Sequence, residues 1–403
     1  MIRTGNKEKP TVVISLGSRL AKVGIAGEDK PIVVPYSFSP VDSMHEDLTY
    51  EFSDSHALTT GQKSELKANA KLHEYNGTKM YDIYRNMMSK CLMLQGEIGG
   101  INEYRDNALH KLFLDIFLNK LRIDSALYKV LLIDSDLSIV DKYKISKLLL
   151  TCFQFQSIRF ISEPSMSMIA AGQNHGLVLD FGWDALRIHP MYEMIEVSNN
   201  NSLEYYEYSG KNLYLNTAKL LISLKNPKVD ELLRNKNEID FIEKLIVDYF
   251  FVRPLEYNVS RDLFEIADRI QVPNSIRYEV VEQLFFHEDI LNKIKTSIDK
   301  LDIHIRKEVI ENLIITGGIS NIPGFKLRLL QELKKLFPQY DLTAKTCLDS
   351  WTGGSIYSST KLQDENNVNE ITKSHISTLS SSSDIKLSAF PDIINNIYQT
   401  KVN

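Results

Sequence analysis

Two glycine-containing turns carry the side chains of this chain that are best suited to bind a phosphate. In the first, Gly17 and Ser18 separate two apolar segments, residues 11–16 and 20–25, and Lys22 follows the turn. Glycine lets backbone N–H groups approach an anion closely, while a serine hydroxyl and a lysine cation add further donors. The simpler alternative is an ordinary hairpin turn beside a solvated lysine, because glycine is common in such turns.

The second turn lies far downstream and has the same design. Asp180 ends an apolar run and Gly182 follows it closely. A carboxylate at this place could hold a hydrated Mg²⁺ that bridges phosphates, or it could simply accept hydrogen bonds from the amides of the turn. Trp183 and Arg187 disfavour catalysis here, because tryptophan is bulky and an arginine cannot accept a proton.

Two further features are weaker on their own. Gly317 and Gly318 follow an apolar segment, where paired glycines could let a base or a ribose lie against the backbone, although a strand-to-helix turn often needs glycine in any case. Glu163 precedes Pro164 and could polarise a water, or could be a helix-start residue. The nine histidines show no helical i, i+4 pairing, so no metal site is predicted.

Bulk composition favours an intracellular soluble protein. The chain has 403 residues, of which 43% are hydrophobic and 25% charged, with a net charge of -5. No basic stripe points to nucleic acid, and no apolar run reaches the ~18 residues of a membrane span. The three cysteines suggest neither a disulfide framework nor a CxxC metal site, and the polar N-terminal segment shows no signal peptide. We therefore expect no direct nucleic-acid partner and no membrane partner.

The elements that must position these residues follow an α/β pattern. The predicted elements are strands over 11–36, 130–133, 158–161 and 312–316, and helices over 106–121 and 139–153. Pro164 is expected to open another helix, as is Pro323. This alternation predicts a central, partly parallel sheet with helices on its faces. Residues 210–300 are predicted to be mostly helical, with an interruption at the polar stretch 225–240.

Two segments differ from this pattern. Residues 39–100 are mostly polar and interrupted by glycines, which predicts an insert with one helix near Met80 to Leu94 and mobile flanks. Residues 361–403 are predicted to be a poorly ordered tail, because Ser374 to Ser388 is serine-rich. A short amphipathic segment is expected within this tail at Phe390 to Tyr398.

Five blocks of the sequence, in the same order, resemble the actin family. They are residues 11–36, 104–161, 163–193 and 299–324, and Trp351 to Ile356, which reads Trp-Thr-Gly-Gly-Ser-Ile. The resemblance implies an actin-like two-lobed α/β fold, in which duplicated ribonuclease-H-like domains flank a nucleotide cleft. It places the small lobe at 1–163 plus 345–403 and the large lobe at 164–344, with divergent regions at 39–100 and 210–285.

The resemblance also implies which residues would hold ATP or ADP. The residues that match the family's cleft are Gly17, Ser18, Lys22, Asp180, Gly182, Gly317 and Gly318. No metal-binding residue is assigned, since Ser15 and Trp183 stand where the family has aspartates.

The catalytic positions differ from those of the family. Arg187 stands where the family has a histidine that helps position the attacking water, and Glu163 where it has a water-orienting glutamine. Ile246 and Val247 fall about where its lysine–glutamate pair contacts ribose and base. Because orientation and electrostatics supply most of such catalysis, we expect no catalytic residue and no hydrolysis. Nucleotide would bind weakly, structurally or not at all.

Within the family, the chain resembles the pointed-end actin-related subunits of dynactin, in residues 12–17, 22–28, 178–182 and 306–313. This resemblance implies a non-catalytic protein of the cytoplasm and cytoskeleton that caps the pointed end of a short actin-like filament. Its partners would be the filament subunits and other dynactin subunits, in support of dynein-based transport. A nuclear actin-related subunit of a chromatin-remodelling complex remains an alternative, as does an active actin-like ATPase.

Overall fold

In the part of the chain that the structure describes, two mixed β-sheets of six strands each organise the fold. The structure is a computed structural model, and it describes residues 10–35, 103–135, 137, 139–197, 203–234, 238–254, 263–266, 270–360 and 370–380. The predicted insert at 39–100, its helix near Met80 and the segment at 390–398 therefore lie outside the described residues. No helix in the described ranges is both long and apolar enough to cross a lipid bilayer.

The first sheet has the strand order β14-β5-β4-β1-β2-β3. Its strands are β1 (Thr11–Leu16), β2 (Leu20–Ile25), β3 (Ile32–Pro35), β4 (Lys129–Asp134), β5 (Ser157–Ser162) and β14 (Ile371–Thr372). β1 forms an antiparallel hairpin with β2 and runs parallel to β4, which in turn runs parallel to β5. These strands are apolar and rich in β-branched residues, as expected for strands covered on both faces.

The second sheet repeats this arrangement. Its strands are β6 (Gly176–Phe181), β7 (Leu186–Tyr192), β8 (Ile195–Glu196), β9 (Leu203–Tyr205), β12 (Asn312–Thr316) and β13 (Thr343–Lys345). β6 forms an antiparallel hairpin with β7 and runs parallel to β12, just as β1 does with β2 and β4. The two sheets thus place a hairpin turn in equivalent positions. A separate hairpin joins β10 (Leu263–Ile266) and β11 (Ile270–Pro273).

Helices cover both sheets. They are α1 (Glu103–Leu114), α2 (Ile139–Lys147), α3 (Glu163–Ala171), α4 (Gly210–Ser223), α5 (Pro227–Arg234), α6 (Glu238–Tyr249), α7 (Ile276–Phe285), α8 (Glu288–Asp299), α9 (Ile303–Glu311), α10 (Phe325–Leu336), α11 (Ser350–Ser359) and α12 (Lys373–Ser380). Wider π-helical turns extend α1 over Asp115–Leu121 and α2 over Leu148–Cys152.

One helix, α3, packs against both sheets. Its Met166 belongs to a buried cluster with Val13 of β1, whereas its Met168 belongs to a cluster with Val178 of β6. The lobe boundary expected between residues 163 and 164 therefore falls at the first residue of a shared helix. The division of the chain into lobes stays a prediction.

Most of the predicted strands and helices are confirmed, including the hairpin at 11–36 and the helix that contains Pro164 in its first turn. Residues 210–300 are mostly helical as predicted, apart from the β10–β11 hairpin. Two expectations were wrong. The polar stretch 225–240 contains helix α5. Pro323 lies outside α10, because Gly324 with φ of 86° is the residue at the helix N-cap.

The expectation of a poorly ordered tail was also wrong in part. Residues 371–380 form β14 and α12, and β14 extends the first sheet beside β5. The carboxylate of Glu370 accepts hydrogen bonds from Lys129 Nζ at 2.8 Å and from Ser157 Oγ at 2.7 Å. Ile371 and Ile376 are buried in the core of the first sheet. Long-range contacts therefore order this part of the serine-rich segment.

Candidate functional site

A cavity of about 1710 Å³ lies between the two sheets and is lined by both hairpin turns. We call residues 17–19 the first turn and residues 182–185 the second turn. The β12–α10 connection, helix α6 and the start of α11 complete the lining. All seven residues predicted to bind nucleotide line this cavity, namely Gly17, Ser18, Lys22, Asp180, Gly182, Gly317 and Gly318. The structure thus brings these residues together at one cavity, and that they bind nucleotide stays a prediction.

The first turn is a tight hairpin closed by the Gly17 N–H, which donates to the Leu20 carbonyl at 3.0 Å. Lys22, on β2 opposite Ser15, lines the cavity, but its Nζ lies 3.0 Å from Asp349 Oδ2. Asp349 also caps α11, accepting from the Thr352 N–H at 2.7 Å. Although burial acts in the opposite direction, Lys22 and the Thr352 amide hold the pKa of Asp349 below its usual value.

The second turn is anchored on α4. The Gly182 N–H donates to the Ala185 carbonyl at 3.1 Å, and the N–H groups of Gly210 and Lys211 donate to the carbonyls of residues 182 and 183, each at 3.0 Å. Trp183 packs edge-on against Tyr214 of α4, with ring centroids 4.7 Å apart. These hydrogen bonds fix the backbone of the second turn against α4, and the contact with Tyr214 fixes the ring of Trp183.

Arg187 lies in a row of charged side chains across three strands. β7 places it opposite Asp180 on one side and Glu204 of β9 on the other. Its Nε donates to Glu204 Oε1 at 2.6 Å, and its Nη1 lies 3.9 Å from Asp180 Oδ2. Burial alone would lower the pKa of Arg187. The two carboxylates raise the pKa by more than burial lowers it, so the net pKa lies above that of an ordinary arginine. This side chain therefore stays charged and cannot act as a base.

Glu163 lines the cavity at the start of α3. Its Oε1 accepts a hydrogen bond from Ser350 Oγ at 3.0 Å. Burial, with a further contribution from the nearby Asp180, raises the pKa of Glu163 to about 7. The group at the position of the family's water-orienting glutamine is thus a carboxyl that binds its proton near neutral pH.

The sequence missed three residues that link the first turn to the second turn and to α6, namely Arg19, Asp184 and Glu243. Ser18 Oγ donates a hydrogen bond to Asp184 Oδ2 in the second turn. Next to it, Arg19 forms an ion pair with Glu243 of α6. The only signals in the sequence were the additional carboxylate after Trp183 and the cation after Ser18, and neither identifies its partner.

Arg19 also covers the aromatic side chains of the second turn and α4. Its Nη1 donates to Tyr214 Oη at 2.9 Å, and its guanidinium lies 5.1 Å from the ring centroid of Trp183. Both contacts favour a fixed orientation, because arginine stacks well on aromatic faces. Glu243, its ionic partner, lines the cavity beside Ile246 and Val247 of the same helix.

The two glycines after β12 differ in what holds them in place. Gly317 has φ of 88°, and a Cβ on it would lie 2.2 Å from the Phe181 carbonyl oxygen, so packing alone requires glycine here. A Cβ on Gly318 would meet nothing within 4 Å. Only Gly318 borders open space that a ligand could use.

The residues present do not suit a nucleoside triphosphate with its magnesium ion. In the described part of the chain, no group of three or more His, Cys, Asp or Glu side chains could hold a metal ion. Arg187 supplies a positive charge beside Asp180, where a magnesium ion would be expected to bind. The hydroxyl of Ser18 already donates to the carboxylate of Asp184, and Lys22 is already paired with Asp349.

Two related lobes, each with a hairpin turn at a shared cleft, define the class of two-lobed nucleotide-cleft α/β proteins. The family model for actin matches residues 6–245 and 247–370, which is nearly the whole chain. The chain therefore belongs to the actin family. Members of this family typically bind ATP or ADP and interact with other actin-like or protein partners.

Proposed function

We propose that this chain is a non-hydrolysing actin-family subunit that caps the pointed end of a short actin-like filament in dynactin. Its place would be the cytoplasmic cytoskeleton, where dynactin supports dynein-based transport. The observation that carries the non-catalytic part is Arg187, a permanent cation tied to Glu204 and close to Asp180 at the centre of the cleft. A group that cannot accept a proton and is held by two carboxylates cannot orient an attacking water as a base.

The capping part is supported by the uneven distribution of actin-like sequence. The blocks 299–326 and 351–356 are the most actin-like, and in the family this region faces the barbed end. Exposed apolar side chains in or next to these blocks are Ile303, Leu327, Leu348 and Ile356. The divergent regions at 39–100 and 210–285 belong to the pointed face in the family. A subunit with one conventional face and one altered face can join a filament end without accepting the next subunit.

A phosphate-release assay tests the non-catalytic part. The purified full-length chain and actin are incubated side by side with MgATP. We expect release at least about 100-fold slower than from actin, since the lost groups act by orientation and electrostatics. Turnover comparable to that of actin would overturn the proposal in favour of an active ATPase.

Affinity purification of the chain at its natural expression level tests the assembly. We expect dynactin subunits and an actin-like filament protein in stoichiometric amounts. Recovery of chromatin-remodeller subunits in their place would contradict the proposal and favour the nuclear alternative.

Two matched surface variants sharpen this experiment. Leu327→Asp alters a side chain that is 62% exposed beside the actin-like block, and Leu263→Asp alters one that is 65% exposed in the divergent region. Both variants should fold, because exposed positions tolerate substitution. Leu327→Asp should lose the filament protein, whereas Leu263→Asp should retain it. Loss of the filament protein in both variants, or in neither, would argue against this division of faces.

A further inference from the structure

We propose that Asp184 takes the place of a nucleotide's terminal phosphate, so that the chain joins its own two turns and excludes nucleoside triphosphates. This inference rests on the proposed function and deepens it, because it names the residue that keeps a phosphate from the hydroxyl of the first turn. The carboxylate of Asp184, in the second turn, lies against the hydroxyl of Ser18 in the first turn.

The first step of the argument is the position of the carboxylate. The hydroxyl of a Gly-Ser turn is the donor that a phosphate oxygen would use. Here Ser18 Oγ donates instead to Asp184 Oδ2, which comes from the opposite turn. A phosphate group could reach this hydroxyl only by displacing the carboxylate.

The second step is the charge that a phosphate would meet. Asp184 is mostly buried, and its other oxygen, Oδ1, has no hydrogen-bond partner among the described residues. Burial raises the pKa of Asp184, while Ser18, Arg187 and Lys211 oppose that rise. A phosphate placed beside this carboxylate would meet a like charge in a poorly solvated space, where repulsion is strong.

The third step is a second connection from the same turn. Arg19 is bound to Glu243 of α6 and to Tyr214 of α4, and it lies over Trp183. Trp183 itself fills the space beside α4, since a Cβ on Gly210 would lie only 3.2 Å from its Cε3. Ser18 and Arg19, two consecutive residues of the first turn, are therefore both bound to residues on the opposite side of the cleft. Both contacts form without a ligand.

Thermal unfolding of the full-length chain with and without MgATP tests the proposal. The wild-type melting temperature should change by less than about 1 °C with 1 mM MgATP, because a ligand stabilises only what it binds. Asp184→Gly should melt several degrees lower without ligand, and 1 mM MgATP should restore about that amount. Ser18→Ala is the matched control. It should also melt lower, but MgATP should not restore it, because the carboxylate remains.

Asp184→Asn keeps the test decisive if the glycine variant does not fold. Its amide oxygen can still accept from Ser18, but the charge is gone, so MgATP should bind at least about 10-fold more tightly than to wild type. Strong stabilisation of the wild type by MgATP, or equal affinities of wild type and Asp184→Asn, would overturn the role of Asp184. Either result would leave the non-hydrolysing function standing, because that function is decided by phosphate release.

Discussion

The crossing of α3 and α11 and the end of the cleft formed by the two turns have very different tolerances for sequence change. At the crossing, a Cβ on Gly353 would lie 1.8 Å from the Met166 carbonyl oxygen, and Trp351 is fully buried with its Nε1 donating to the Val13 carbonyl at 3.0 Å. Here the side chains are dictated by contact between backbones. At the second turn and the adjoining β7, by contrast, Asp184 and Arg187 are held by hydrogen bonds and ion pairs between side chains, with Ser18 and Glu204.

The difference lies in what fixes the residues of each region. Close packing admits few side chains, so the helix crossing depends on its small residues and on buried Trp351. In the cleft, by contrast, polar side chains are held by pairing, Ser18 with Asp184 and Arg187 with Glu204. Substitution at the crossing should therefore cost more stability than substitution in the cleft.

The largest effect is expected at the helix crossing. Gly353→Ala forces a methyl group into the Met166 backbone and should destabilise the fold by more than about 4 kcal/mol. Soluble yield and circular dichroism of the purified variant would measure this loss. A cooperative unfolding transition like that of the wild type would show that the crossing is not as tight as described.

The glycine pair after β12 allows the same comparison within adjacent positions. Gly317→Ala should cost about 3 kcal/mol or more, because it combines a positive φ with a clash at the Phe181 carbonyl. Gly318→Ala, its matched control, should change the free energy of unfolding by less than about 1 kcal/mol. Urea unfolding of both variants measures the difference, and similar values would mean that ligand approach rather than packing explains the pair.

A pH effect is expected at Glu163. Its pKa is raised by burial to about 7, so the folded state holds a proton that the unfolded state releases near its ordinary pKa of 4.5. Stability should therefore fall as pH rises from 5 to 8, by about 2 kcal/mol through this group. Glu163→Gln, which keeps an acceptor for Ser350, should remove that fall. Identical pH profiles of wild type and variant, measured by urea unfolding, would contradict the assignment.

The smallest effect is expected at Lys22. Its pairing with Asp349 is only partly buried, so Lys22→Met should cost about 0.5–1 kcal/mol at pH 7. Because the pKa of Asp349 is lowered, this cost should disappear as the pH falls and the carboxyl takes up a proton. Lys326→Met is the control on the same cavity and should be neutral to within about 0.5 kcal/mol. If Lys326→Met lowered the free energy of unfolding more than Lys22→Met does, the pairing of Lys22 with Asp349 would not be the lysine contact that stabilises this cavity.

The sequence predicted what is local and missed what is distant. Gly17 and Gly182 were readable because a glycine turn between two apolar segments is a property of neighbouring residues. The contacts of Ser18 with Asp184 and of Arg19 with Glu243 were not, because each joins residues from different parts of the fold. For Gly317 the role in nucleotide binding stays a prediction, and packing against Phe181 is a sufficient reason for a glycine there.

The same limit explains the errors in secondary structure. Helix α5 forms in a polar stretch, although its sequence suggested an interruption, because Val229 and Leu233 are buried in the core of the second sheet. The serine-rich segment after residue 370 is ordered by Glu370 and Ile371, whose partners lie on β4 and β5.

The pairing of β14 with β5 has a consequence for how the protein can be handled. Ile371 and Thr372 pair with Ile158 and Ser157, so without residues 370–372 the backbone N–H and carbonyl groups at this end of β5 would lose their partners. Unpaired backbone groups at a sheet edge are a template for pairing with other chains and for aggregation. A truncation made before residue 370 would thus uncover this end of β5, whereas a cut after residue 380 would leave its pairing in place.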